Sequence, residues 1–135
     1  VDAQRLSLLL AVLNRHLNFS SATEDVYVNV VGGLRLQEPA SDLALAAALL
    51  SSSRSQNLPA SAAFFGEIGL TGEVRAASFA SERIQEAAKL GFQDVFLPAA
   101  NRKHLSRKNL KDIELHWVAH LRDLQGQLFK TRSKA

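Results

Sequence analysis

Ser41 stands where a serine can do chemistry. In "QEPASDLALAAALLSSS" (Gln37–Ser53) the chain turns at Pro39 and enters a helix with a short polar residue at its mouth. Backbone N–H groups at a helix start stabilise an oxyanion, so a serine there can act as a nucleophile. The same hydroxyl can instead cap orphan N–H groups and do no chemistry. Glu67 and Glu73 sit beside glycine turns in "FGEIGLTGEVR". They read either as an acid/base pair or, more simply, as carboxylates capping the backbone of a tight hairpin. Of the histidines His16, His104, His116 and His120, the last two are four residues apart. They flank Trp117 and Val118 at a strand-to-helix change and lack the glutamate of H-E-x-x-H, so surface histidines are expected there, and no metal site. Neither G-x-x-x-x-G-K-[ST] nor G-x-S-x-G occurs, which excludes a Walker-type nucleotide site and a nucleophile elbow.

Composition bounds the rest. The 135 residues fit one domain, and 47% hydrophobic with 21% charged residues is ordinary for a globular chain. No apolar run approaches the ~20 residues of a membrane span. Arg5, Arg15 and His16 within the first helical pattern argue against a signal peptide, and with no cysteine there is no disulfide framework or thiolate metal site. The chain starts at Val1 and contains no methionine, which suggests a fragment of something longer, cytoplasmic by default. Charge is uneven. Residues 1–100 carry seven Lys/Arg against ten Asp/Glu, about −3, whereas residues 101–135 carry nine against three, about +6. That surplus lies in "NRKHLSRKNLK" and the tail "KTRSKA" and reads as a nucleic-acid footprint or as a solvated surface with a frayed terminus.

These residues must be positioned by alternating elements. "DAQRLSLLLAVLNRHL" predicts a helix with Leu6, Leu9, Leu10, Leu13 and Leu17 on one face. "DVYVNVVGGLRL" predicts a strand that bends or turns at Gly32-Gly33. A second helix runs from Ser41 to about Ser53, and "SAAFFGEIGLTGEVR" reads as two short strands with glycine turns. "SERIQEAAKLG" is a third helix, capped by Ser81, with Ile84, Ala87 and Ala88 inward and Gly91 as its stop. "FQDVFLP" and "IELHWV" are strands, and "VAHLRDLQGQLF" closes the chain as a helix with Val118, Leu121, Leu124 and Leu128 on one face. The class is a single mixed α/β domain.

Three stretches, "EPASDLALAAALLSS", "FGEIGLTGEVR" and "ERIQEAAKLGFQDVFLPAAN", resemble the proteolytic domain of the ATP-dependent Lon proteases. With "RLSLLLAVLNRHL" and "DVYVNVVGGLRL" they are most similar to the Lon-related C-terminal domain of the RadA/Sms bacterial DNA-repair proteins. The resemblance covers about residues 3–129, but "NRKHLSRKNLKD" and the tail match nothing in it. It implies an α/β (α+β) fold, Lon proteolytic-domain-like, with the mixed sheet and flanking helices of ribosomal protein S5 domain 2. The domain would span residues 1–129, and residues 130–135 would be a disordered basic tail.

The resemblance also bears on Ser41. Active Lon proteases use a serine–lysine dyad, with the serine in a Gly-Pro-Ser-Ala-Gly stretch and the lysine at the start of a later helix. Matched onto this sequence, Pro39 takes the proline, Ala40 the nucleophile position, Ser41 the alanine and Asp42 the glycine, while Ser81 falls on the lysine. Both dyad members are missing. Ser41 is one residue off, about 100° around a helix start, and has no base to activate it. Lys89 is two turns into its helix, and Asp42 would oppose an oxyanion. Ser41 is therefore expected to cap and Asp42 to complement the helix dipole.

What the resemblance implies is a catalytically silent platform for a repair protein that drives branch migration with ATP. It would form a homohexameric ring, which the successive Leu8, Leu9 and Leu10 would suit. The parent would be cytoplasmic, bacterial and nucleoid-associated, with no membrane partner. This domain would hold no cofactor or metal, while ATP, magnesium and zinc would belong to the missing N-terminal parts. DNA contact is expected to be sequence-independent and strengthened by ring avidity. Its candidates are Arg102, Lys103, Arg107, Lys108 and Lys111, with Arg35, Arg54 and Arg75 as a second set on one rim. The alternatives are an active Lon-type Ser/Lys endopeptidase with a displaced nucleophile and an unrelated domain of the same general fold.

Overall fold

The computed structural model describes Ala40 and residues 42–54, 58–59, 61–105 and 112–129. Its elements are α1 (Asp42–Arg54), β1 (Ala62–Phe64), β2 (Glu67–Ile68), β3 (Val74–Arg75), α2 (Ala80–Lys89), β4 (Asp94–Pro98), a 3-10 segment (Ala99–His104), β5 (Glu114–Val118) and α3 (Leu121–Phe129). The first expected helix, the strand "DVYVNVVGGLRL", Ser41 and the tail lie outside the described residues.

The unbroken apolar run of β4 marks a strand covered on both faces. It is the middle of a parallel sheet ordered β1-β4-β5, with Phe96 beside Phe64 and His116, and Val95 beside Ala63 and Leu115. Alternate side chains leave a strand on opposite faces. Phe96 and Val118 therefore pack with Leu43 and Leu49 of α1 and Leu121, Leu124 and Leu128 of α3. Val95 and Leu97 pack on the other face with Ile84 and Ala87 of α2. The result is helix, sheet, helix, with each fully buried aliphatic side chain contributing roughly 1.5–3 kcal/mol of burial energy. The class is mixed α/β, as the alternating elements imply.

Several details differ from the sequence reading. "SAAFFGEIGLTGEVR" forms three short strands, not two. β1 joins the parallel sheet, whereas β2 and β3 form a separate antiparallel hairpin with Glu67 opposite Arg75. Val118 ends β5 instead of opening the last helix, because pairing with Pro98 continues through it. Ala88 is exposed; α2 buries Ala80, Ile84 and Ala87, and one further residue turns about 100° away from that face. Ser81 is not the cap. Phe79 occupies the N-cap in a left-handed conformation, with no side-chain cap hydrogen bond, so Ser81 is already inside the first turn. The stop at Gly91 is as read. At φ +91° its N–H donates to Ala88 O (3.1 Å) and that of Phe92 to Ala87 O (3.0 Å), the two bonds of a Schellman ending.

Candidate nucleic-acid interface

In a parallel sheet the carboxyl ends of the strands gather at one edge, where open α/β folds bind ligands. Here the start of α1 is stitched to that edge. The Gly66 N–H donates to Ala40 O (2.8 Å), and the Leu43 N–H donates to Gly66 O (3.0 Å). Asp42 is buried, and its Oδ2 accepts from the Ile68 N–H at 3.0 Å. The start of α2 reaches the same edge through Asn101, which is buried in the 3-10 segment following β4. Asn101 Oδ1 accepts from the Ala77 N–H (2.9 Å) while its Nδ2 donates to Ala77 O (3.0 Å).

The two dyad positions thus lie at helix starts served by neighbouring strands. Neither carries the chemistry. Ala40 is buried and has only a methyl group, and Ser81 is exposed on α2. Lys89 is in the last turn of α2, about 12 Å along the axis from Ser81.

Cations collect at this edge. Arg102 and Lys103 are exposed on the 3-10 segment, and the Arg102 guanidinium carbon lies 5.6 Å from the centre of the Trp117 ring. Arg83 donates from Nε to Ser78 O (2.9 Å), and its guanidinium carbon is 5.9 Å from the centre of the Phe65 ring. Arg75, two residues before Ala77, pairs with Glu73 at 3.2 Å. Arg54 is elsewhere, at the tail of α1 and about 18 Å along that helix from Asp42. With the Gln125 amide oxygen turned toward it, Arg54 Nε donates to α3 at 3.2 Å. Arg54 and Arg75 therefore do not share an edge. Arg35, Arg107, Lys108 and Lys111 lie outside the described residues.

The other chemical candidates are engaged structurally. Glu73 Oε1 accepts from the Thr71 N–H (3.2 Å) and from the Thr71 hydroxyl, and Oε2 accepts from Arg75. The Thr71 hydroxyl foremost, then the Glu73 backbone and Arg75, hold this carboxyl down to about 2 from 4.5. A carboxyl that is ionised so firmly is no general acid near neutral pH. It organises the hairpin.

His120 and His116, expected at the surface, are both half-buried. His120 Nδ1 accepts from the Arg122 N–H (3.2 Å), which leaves Nε2 to donate to Thr71 O at 2.8 Å. That bond pins the hairpin to the head of α3. His116 stacks on Phe96 with ring centres 4.4 Å apart, and its Nε2 lies 2.9 Å from Asp94 Oδ1. Asp94, Glu114 and His116 bring one ligand atom each to within 4.8 Å of one another, at the opposite, amino-end edge of the sheet.

Asn101, Arg83 and Phe79 are the residues at this edge that the sequence reading did not single out. Asn101 stands inside a basic run with nothing local to mark its burial. Arg83 sits on the polar side of an amphipathic helix like any solvated arginine. Phe79 had one available signal, an aromatic residue outside any period just before a helix.

Among the described residues no helix is long and apolar enough to cross a membrane. A family model described as subunit ChlI of Mg-chelatase matches residues 5–101. The protein named DNA repair protein RadA in Rickettsia bellii is 42% identical over 124 residues, covering 92% of this chain and 26% of the relative. The Escherichia coli protein of that name is 44% identical over 123 residues, 91% of this chain and 26% of the relative. That of Halalkalibacterium halodurans is 50% identical over 101 residues, 75% and 22%. The chain spans about a quarter of the length of these curated relatives.

Proposed function

The chain belongs to the family described as subunit ChlI of Mg-chelatase, and we propose that it is the non-catalytic, Lon-like C-terminal domain of a RadA/Sms-type DNA repair protein. The observation that carries the non-catalytic reading is Ala40. It occupies the nucleophile position, buried and with its carbonyl bonded to the Gly66 N–H, so the reaction has no attacking atom there. Ser81 in place of the lysine removes the base as well.

Cleavage of unfolded casein and fluorogenic peptides at high protein concentration is expected to give no turnover. Turnover that disappears in Ser41→Ala would instead support the endopeptidase with a displaced nucleophile.

The domain occupies residues 1–129, and residues 130–135 form a basic tail. Within a bacterial, cytoplasmic, nucleoid-associated parent it is a platform for a homohexameric ring around an ATP-driven motor. ATP, magnesium and zinc are held by other parts of that parent. Among the described residues, the exposed large apolar side chains Leu70 and Leu90 are available for association. Light scattering over a concentration series is expected to show mass rising toward six copies, and a strictly monomeric species at the highest concentration would contradict the ring. DNA is met at the carboxyl-end edge through Arg102 and Lys103, without sequence preference, because phosphate contacts carry no sequence information.

A further inference from the structure

We propose that Phe79 is a stacking platform for an unpaired nucleobase, with Arg83, Arg102 and Lys103 as its phosphate contacts, so that this edge favours single-stranded nucleic acid. The inference rests on the DNA-contact reading above and goes beyond it.

Two unfavourable features coincide at Phe79. The residue is 71% exposed, and its backbone has φ 59° and ψ 38°, the one positive φ outside glycine among the described residues. A left-handed backbone at a bulky residue is strained, and strain of this kind gathers at ligand clamps and functional sites. The surroundings hold it in place. Asn101 grips Ala77 by both backbone groups, Arg83 Nε grips Ser78 O, and the Arg83 N–H donates to Phe79 O at 3.0 Å. The ring is therefore presented by a fixed turn.

Charge identifies the occupant. Arg83 is four residues on from Phe79, and its side chain bonds to the carbonyl of Ser78, the residue just before the ring. The Asn101 clamp joins the 3-10 segment, on which Arg102 and Lys103 come next, to Ala77, two residues before Phe79. Glu82, exposed on α2, is the acidic neighbour. An exposed aromatic face beside several cations suits a strand of stacked bases linked by phosphates, which single-strand binders recognise in this way. A duplex covers its base faces, so it can use the cations but not the ring.

The test is fluorescence anisotropy of the 135-residue chain with a labelled oligothymidine strand and with a blunt mixed-sequence duplex. Phe79→Gly removes the ring and relieves the left-handed backbone, so thermal stability is expected to hold or rise. Phe79→Trp keeps a stacking face. The expected result is that Phe79→Gly weakens single-strand binding about tenfold and duplex binding by less than about twofold, while Phe79→Trp stays within about twofold of the parent on both. If Phe79→Gly leaves single-strand affinity unchanged while Arg102→Ala with Lys103→Ala lowers it, the stacking role is overturned and the DNA-contact reading stands. Equal losses on strand and duplex also overturn the stacking role. If the unmodified chain binds neither probe, both readings fall. If Phe79→Gly abolishes self-association without touching DNA affinity, the ring belongs to a protein interface and the inference is wrong.

Discussion

Gly66→Ala is expected to lose about 3 kcal/mol of folding stability, whereas Gly91→Ala loses about 1 kcal/mol. Both glycines have positive φ, +152° and +91°, so an L-residue at either is strained. Only Gly66 adds a packing conflict. A Cβ there would meet Val74 Cγ1 at 3.0 Å, Pro98 Cγ at 3.2 Å and Leu43 Cδ2 at 3.5 Å. Val74 and Pro98 are both buried, in β3 and β4, and each would have to give by a few tenths of an ångström in a packed interior, while Leu43 stays at ordinary contact distance. The new methyl would also strain the bonds by which Gly66 holds Ala40 and Leu43 at the head of α1. Around Gly91 nothing lies within 4 Å, which leaves the backbone term alone. Urea titration measures the difference through the midpoint at constant slope. Equal losses at the two sites would mean that the neighbours of Gly66 yield and that the head of α1 is not packed as described.

The parts of the fold that were legible in the sequence are those decided by local physics. The period of "SERIQEAAKLG" placed Ile84 and Ala87 inward, and Gly91 marked the stop, because a left-handed C′ position favours glycine. The beginning of the same helix departs from its local pattern. Ser81 is the better local cap, but the long-range clamp from Asn101 to Ala77 fixes the preceding turn, and the helix starts at Ala80 behind a strained Phe79. Likewise the period of "SAAFF" gives a strand but not its partner. β1 pairs in parallel with β4 some thirty residues later, while the neighbouring β2 turns to β3. The run containing Arg102 and Lys103 was visible as charge. That Arg83 and Phe79 join them depends on one buried asparagine 24 residues away from its partner, and a local pattern carries no trace of that.

The second large effect is on DNA. Arg102→Ala with Lys103→Ala removes two exposed cations from the carboxyl-end edge, and neither change touches the buried core. Each phosphate contact releases counterions, so two lost contacts should flatten the slope of log affinity against log salt by about 2 on duplex DNA and somewhat less on a single strand. At low salt the affinity should fall about tenfold or more, and the loss should shrink as salt rises. Arg54→Ala, at the far end of α1, is the matched control. Its guanidinium serves the seam with Gln125, and its loss should leave the slope unchanged. The salt dependence of DNA binding, measured side by side for the unmodified chain, the Arg102/Lys103 double variant and Arg54→Ala, tests most directly whether nucleic acid is held at the carboxyl-end edge of the sheet. The predicted result is a flattened slope in the double variant alone; an unchanged slope there, with a flattened one in Arg54→Ala, would contradict it.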